Sequence, residues 1–160
     1  MRDFEIVVAT DAQRGIGKGG KLPWNLPGDM KFFRDLTTKT AKAGKENAVI
    51  MGRRTWDSIP SRFRPLPGRI NVVLSRNSDA KFSVETLHAQ SFEDALVLLD
   101  KPPLKNMIER VFVIGGGQIY QEALKRPDCT VLHITQLLDS FDCDAYFPPS
   151  HVAFERPQIP

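Results

Sequence analysis

The amino-acid sequence predicts a single α/β domain built on a mostly parallel central sheet. Short β-branched runs recur along the chain, segments with helical patterning fill the intervals between them, and 160 residues amount to about one domain. No internal repeat or low-complexity segment is visible, and the 12 prolines are scattered rather than gathered into a linker, so residues 1–160 are expected to form one unit. In open sheets of this kind ligands bind outside the carboxyl ends of the strands, and the chemistry is to be sought there.

The first run, Phe4 to Thr10, reads as a buried strand. Next comes a helix-like segment, Asp29 to Leu36, in which Asp29, Phe33 and Leu36 fall at i, i+4 and i+7 on one face. Ala48 to Met51 is a second strand, followed by a short turn from Thr55 to Ile59, and Ile70 to Leu74 is a third strand. Ser91 stands three residues before Asp94 and ahead of the apolar run Ala95 to Leu99, the start signal of a capped helix over Ser91 to Asp100. A strand over Arg110 to Ile114, a helix over Gln118 to Lys125 and a strand over Thr130 to Thr135 complete the alternation.

With 41% apolar and 26% charged residues the chain can bury a core and wet its surface, which excludes disordered and fibrous classes. A domain of this size buries roughly 70% of the surface its unfolded chain exposes and needs no staples. Two cysteines, Cys129 and Cys143, are too few for a disulfide framework; they point to a reducing compartment and read as buried or free thiols rather than nucleophiles. The apolar stretches are too short for a bilayer, and acids stand in the N-terminal segment where a secretory signal would be apolar, so a cytoplasmic location without membrane contact is expected. His88, His133 and His151 lack metal-ligand spacing, and no metal is expected. The balance of 22 basic against 19 acidic side chains suits an anionic small molecule as well as it suits nucleic acid, but no aromatic and basic interleaving supports nucleic acid.

Two glycine clusters compete as phosphate binders. Gly15-Ile16-Gly17-Lys18-Gly19-Gly20 matches G-x-G-x-x-G after a strand, but two prolines, Pro23 and Pro27, follow where the dinucleotide fingerprint requires a helix. A mobile glycine-rich loop beside a site, or a plain surface turn, fits that composition better. Gly115-Gly116-Gly117 instead lies between a strand and a good helix former, where backbone without Cβ and a helix N-terminus favour an anion; a tight turn without ligand is the bland alternative. Gly52-Arg53-Arg54-Thr55 and Ser75-Arg76 finish two further strands with guanidinium and hydroxyl groups. Each cluster singly reads as a solvated charge pair, whereas three phosphate-compatible strand ends suggest a phosphorylated dinucleotide.

From Ala12 to Arg34 there is one acid, Asp29. It reads either as a first-turn acid complementing the helix dipole or as a carboxylate held in an apolar cleft by Leu22, Trp24, Phe32 and Phe33. In the second case it would be suited to proton handling or to gripping the amino-amidine edge of a flat heterocycle.

These residues resemble the dihydrofolate reductase family. The resemblance rests on Ile16-Gly17, the stretch from Leu22-Pro23-Trp24 to Gly28-Asp29, Val49-Ile50-Met51-Gly52-Arg53-Arg54-Thr55-Trp56, Ser58-Ile59-Pro60, Arg64-Pro65-Leu66-Pro67-Gly68-Arg69, Val72-Val73-Leu74-Ser75-Arg76, Val113-Ile114-Gly115-Gly116-Gly117 with Tyr120, and Asp144-Ala145-Tyr146-Phe147-Pro148, in the family's order. It covers residues 4 to about 148. The resemblance implies NADPH-dependent reduction of 7,8-dihydrofolate to tetrahydrofolate, with hydride passing to pterin C6 and a proton to N5. By carry-over, Asp29 grips the amino-pyrimidine edge and promotes N5 protonation with Thr135 bonded to it, and Leu22 and Trp24 complete the catalytic set on the nicotinamide side. Val7, Val8 and Ile114 meet the pterin, Phe33, Ile59 and Leu66 wall the aminobenzoyl part, Arg69 takes the glutamate α-carboxylate, and Tyr120 is counted with the substrate side. Ala9, Ile16 and Gly17 join the nicotinamide wall, Arg53, Arg54, Thr55, Ser75 and Arg76 the phosphate binders, and Gly115, Gly116 and Gly117 the diphosphate cradle, where the family joins Gly115 to Gly116 by a cis bond.

Two departures qualify the carry-over. Gln90 stands where many members carry a basic residue near the adenine. Members also continue past Phe147-Pro148 with a long antiparallel pair, so a fold lacking the family's last two antiparallel strands is expected, with Thr130 to Thr135 at a sheet edge. The expected partners are dihydrofolate and antifolate-like small molecules. A truncated, non-catalytic folate and NADPH binder and a same-fold reductase of another heterocycle remain as alternatives; Arg69, which only a carboxylate tail needs, argues against the latter.

Overall fold

In the computed structural model, residues 2–10, 13, 15–17, 27–77, 82–137, 143, 145–147 and 158–159 are described. In chain order they form β1 (Phe4–Thr10), β2 (Gly15–Gly17), α1 (Pro27–Thr38), β3 (Glu46–Gly52), α2 (Arg53–Ser58), a 3-10 turn (Ser61–Phe63), β4 (Arg69–Leu74), β5 (Leu87–Ala89), α3 (Phe92–Leu99), α4 (Leu104–Met107), β6 (Ile108–Gly115), α5 (Gly117–Leu124), β7 (Cys129–Leu137), β8 (Ala145–Tyr146) and β9 (Gln158–Ile159). The five expected strands are all present, each end within two residues of its expected place. β2, β5, α4, β8 and β9 were not foreseen, because elements of two to four residues carry too little periodicity to be read from sequence.

The main sheet has the order β5-β4-β3-β6-β1-β7-β9 with every neighbouring pair parallel, and β2 pairs antiparallel with β8. A parallel sheet is covered on both faces, which is why its inner strands are apolar almost without alternation. Phe4, Ile6, Val8, Ile50, Val72 and Val113 pack on one face with Leu96 and Leu99 of α3 and Ala123 of α5. Val7, Val49, Met51, Val73 and Phe112 pack on the other with Trp56 of α2 and Phe33 and Leu36 of α1. Local chemistry explains two of the starts: Pro27, with no N–H to satisfy, opens α1 two residues before the expected Asp29, and the Ser91 hydroxyl accepts from the Asp94 N–H at 3.0 Å to cap α3.

Strand order sets the position of the site. From β3 the chain runs through α2 outward to β4, whereas from the adjacent β6 it runs through α5 the opposite way to β7. Connections that diverge from neighbouring parallel strands leave a crevice at their carboxyl ends. On the far side of the sheet, β7 is paired with β1 over its length, while β9 meets it only at Gln136 and Leu137. Among the described residues the outer edge of Thr130 to Thr135 therefore has no strand partner. None of the described helices is long and apolar enough to cross a membrane.

Candidate functional site

Two groups of side chains meet at the crevice. The first lies on the α1 and α2 face, where Val7 and Ile114 at the ends of β1 and β6 share one apolar cluster with Phe33, Ile59 and Leu66. Val8 points to the opposite layer, as strand alternation requires, and can offer this face only its backbone. Leu66 is held in place by Asn71, whose amide accepts from the Leu66 N–H at 2.8 Å and donates to its carbonyl at 3.0 Å. Arg64 fixes the other wall by donating to the carbonyls of Trp56 and Ile59, at 2.9 and 3.3 Å.

Arg69 stands at the rim of this slot. Its guanidinium donates to the Thr37 hydroxyl at 2.9 Å and to the Pro67 carbonyl at 3.0 Å, and its carbon centre lies 5.9 Å from the centroid of the Phe33 ring. Only 8% of the residue is exposed, and among the described residues no carboxylate pairs with it. Burial, and secondarily the field of Arg34, lower its pKa to about 10, so it remains a cation at neutral pH without a counter-charge.

Thr135 is buried at the end of β7, opposite Ala9 in the register, and by alternation shares the face that α1 covers. Asp29 belongs to α1, but its side chain, like the whole of Leu22 and Trp24, lies outside the described residues.

The second group surrounds the divergence of β3 and β6. Gly115 has φ +129 and is joined to Gly116 by a cis peptide; a Cβ on Gly115 would lie 3.2 Å from the Tyr120 hydroxyl and 3.5 Å from the Thr55 hydroxyl. At Gly52 a Cβ would come within 2.9 Å of the tip of Ile119 and 3.8 Å of the Gly115 carbonyl oxygen, so the two strand ends approach closely because both lack side chains there. Gly116 caps α5 without any side-chain bond, which leaves first-turn N–H groups available. Ile16 and the Tyr146 carbonyl border Gly117, at 3.9 and 3.8 Å from a Cβ placed there. Arg53 and Arg54 open α2 at the solvent surface, and Ser75 and the exposed Arg76 follow β4. Bare backbone, unused N–H groups and cations together fit a diphosphate-bearing ligand.

Tyr120 supports both groups from below. Its ring is buried, its hydroxyl donates to the Val7 carbonyl at 2.9 Å, and burial holds its pKa well above that of a free phenol. It is placed under the floor of the slot, acting on the site through Val7 and Gly115. The glycines at the other candidate cradle behave differently: Gly15 to Gly17 form β2, and the next described helix opens only at Pro27, which removes the fingerprint reading. The loop reading was made of Gly15 to Gly20; Gly15 to Gly17 are strand β2, and the rest of that stretch lies outside the described residues. Gln90, expected near the adenine, lines a cleft of about 340 Å³ between β5 and α3 together with His88 and Asp94.

The profile of the family described as Dihydrofolate reductase matches residues 3–156. The chain belongs to the dihydrofolate reductase family. It is 51% identical over 156 residues to a bifunctional dihydrofolate reductase-thymidylate synthase of Arabidopsis thaliana, covering 96% of this chain and 28% of that protein. The chain thus spans about three tenths of the length of the bifunctional plant relatives it matches. With the dihydrofolate reductase of Aedes albopictus it shares 41% identity, covering 92% of this chain and 80% of the other. Among solved structures, the Schistosoma mansoni dihydrofolate reductase superposes with a TM-score of 0.84 at 41% identity, covering 94% of this chain and 81% of that one. The fold described above is thus shared with a solved dihydrofolate reductase.

Asn47 and Thr37, which tie α1 to the sheet and to Arg69, and Asn71, Arg64 and Phe82, which brace Leu66, Ile59 and Trp56, were missed by sequence reasoning. A signal existed for two of them. Asn47 and Asn71 are polar residues inside strand runs that bury everything around them, and a buried amide must be satisfied by something it positions.

Proposed function

We propose that residues 1–160 act as one reductase domain that uses NADPH to reduce 7,8-dihydrofolate to tetrahydrofolate. The observation that carries this reading is the buried guanidinium of Arg69, which has no carboxylate partner among the described residues and lies beside the apolar cluster of Phe33, Ile59, Leu66 and Ile114. A desolvated guanidinium fits a ligand that brings its own carboxylate, and the neighbouring walls of Phe33, Ile59, Leu66 and Ile114 fit a flat, aromatic body attached to it. A heterocycle without a carboxylate tail would leave that cation buried and unpaired, which disfavours the related substrates of the same fold.

The diphosphate of the cofactor would be held by the backbone of Gly115, Gly116 and Gly117 with Thr55, and its outer phosphate by Arg53, Arg54, Ser75 and Arg76. Ala9, Ile16, Gly17, Leu22 and Trp24 would wall the nicotinamide. When bound, the reduced nicotinamide supplies the hydride for pterin C6. The chain's own residues supply position and protons. Val7, Val8 and Ile114 present backbone to the pterin edge, and Tyr120, by fixing the Val7 carbonyl, sets where that edge lies. Asp29, whose partner by family resemblance is Thr135, would accept the two parallel N–H donors of the amino-pyrimidine edge and promote protonation at N5. The apolar walls keep bulk water from the reacting ring.

Purified protein supplied with NADPH and dihydrofolate is expected to oxidise the cofactor, followed at the absorbance of the reduced nicotinamide. Asp29→Asn is expected to keep the fold and to lose about 10²- to 10⁴-fold in turnover, the usual contribution of a positioned proton donor. A cooperatively melting protein that binds both ligands without turnover would instead favour a non-catalytic binder.

A further inference from the structure

His88 lies on β5 opposite Val73 of β4, two residues before Ser75. Its Nε2 sits 2.8 Å from the Ser75 carbonyl, and since a carbonyl only accepts, Nε2 carries the hydrogen and donates it. The Ser75 N–H donates to the Ala89 carbonyl at 3.0 Å. Ser75 is therefore clamped to β5 through both of its backbone polar groups, one of them by a side chain. Its own hydroxyl accepts from the Asn77 N–H at 3.3 Å, closing a turn that carries Arg76 outward. The imidazole ring also lies against Phe82, tilted, with centroids 5.7 Å apart, and Phe82 in turn packs edge-on to Trp56 at 5.5 Å and beneath the Arg53 guanidinium at 5.2 Å. Arg53 also pairs with Asp57 at 3.2 Å, so its stem is held from two sides.

A continuous stack thus runs from the Ser75 carbonyl through His88 and Phe82 to Arg53. It joins the two separate strand ends whose cations would share one phosphate, β4 with Ser75 and Arg76, and β3 with Arg53 and Arg54. We propose that His88 is a positioning residue for the outer phosphate of the cofactor, fixing the Ser75 turn and, through Phe82, the Arg53 side at the spacing that selects a phosphorylated over an unphosphorylated dinucleotide. The inference rests on the cofactor reading above. Neither the imidazole nor the phenyl ring needs to touch the ligand. A single neutral hydrogen bond contributes about 0.5–1.5 kcal/mol net, equivalent to roughly two- to tenfold in affinity, and that is the scale of selectivity to be expected.

The test compares the affinities of NADPH and NADH, measured by tryptophan fluorescence quenching, in the wild type, His88→Phe, His88→Leu and His88→Gln, with a thermal melt of each. His88→Phe keeps a ring against Phe82 but removes the donor, His88→Leu removes both, and His88→Gln keeps an N–H at similar reach. The NADPH over NADH preference is expected to fall about three- to tenfold in the phenylalanine and leucine variants and to stay within about twofold of wild type in the glutamine variant. An unchanged preference in a folded phenylalanine or leucine variant, an equal loss for both dinucleotides, or a lost preference in folded His88→Gln would each overturn the proposal. Wild-type protein that binds neither dinucleotide would defeat the cofactor reading itself, a result distinct from these.

Discussion

Arg69 shows how one residue can be costly to the fold and useful to the site. Among the described residues its guanidinium is satisfied by hydroxyl and carbonyl oxygens, so there the desolvation of a full charge is offset by neutral hydrogen bonds and an aromatic face rather than by an opposite charge. Arg69→Leu removes that buried charge and leaves behind a Thr37 hydroxyl that still donates to the Phe33 carbonyl at 2.8 Å. The urea midpoint of unfolding is therefore expected to hold or rise, while KM for dihydrofolate rises about ten- to hundredfold, the value of one charge-assisted hydrogen bond. A lower midpoint together with an unchanged KM would mean that the guanidinium serves the fold instead. Part of this scale was open to residue type: the glycines after a strand were read from composition and position, whereas the role of Arg69 came only from the family resemblance, and the side chain of Asp29 lies outside the described residues. What could not be read is partnership. Thr37 lies 32 residues from Arg69 and looks like an ordinary helix threonine, because only the packing of α1 against β4 brings its hydroxyl within 2.9 Å.

At the scale of elements, local chemistry and tertiary packing share control. Helix α3 carries its own start signal, and the hydroxyl of Ser91 captures one of the four N–H groups that a helix N-terminus leaves open. Ser91→Ala is expected to cost about 1 kcal/mol, read from equilibrium urea unfolding, with no change in ligand affinity. Helix α5 begins in the opposite manner, at Gly116 and, as α2 and α4 also do, without a side-chain cap. The strands were readable because burial on both faces of a parallel sheet forces continuous apolar runs such as Ala48 to Met51. The three-residue β5 was not readable, since one apolar-polar-apolar step over Leu87-His88-Ala89 is too short to establish a period; it becomes a strand by pairing with Val72, Val73 and Leu74. The same pairing places His88 beside Ser75, so the selectivity inferred for that residue belongs to an element invisible in the sequence.

Across the whole molecule, the sheet is tied at its other end by Glu5 of β1. Its carboxylate accepts two bonds from Arg110 of β6, at 2.6 and 2.7 Å, and one from His133 of β7 at 2.8 Å, joining three strands that are distant along the chain. Burial alone would push the Glu5 carboxyl up, but the hydrogen bonds and charges of Arg110 and His133 outweigh it and bring the pKa from 4.5 down to about 2. A carboxyl that is more acidic in the folded than in the unfolded chain stabilises the fold fully above the unfolded value, and that contribution is lost as pH falls from about 4.5 towards about 2. Glu5→Gln is accordingly expected to lower the urea midpoint at neutral pH, with the charge-dependent part of the difference from wild type shrinking as pH falls towards about 2 and lost below it; a constant difference over that range would show that the carboxylate's charge is not what matters. The apolar and polar pattern along the chain was enough to specify an α/β layer structure, the strands that run through it, and the residue types available at their ends, because burial and helix capping are decided by neighbours in sequence. The order of the strands, the divergence of β3 and β6 that opens the crevice, and the meeting of Arg69 with Thr37, His88 with Ser75 and Glu5 with Arg110 came only with the folded chain, since these depend on contacts between segments that sequence proximity does not constrain.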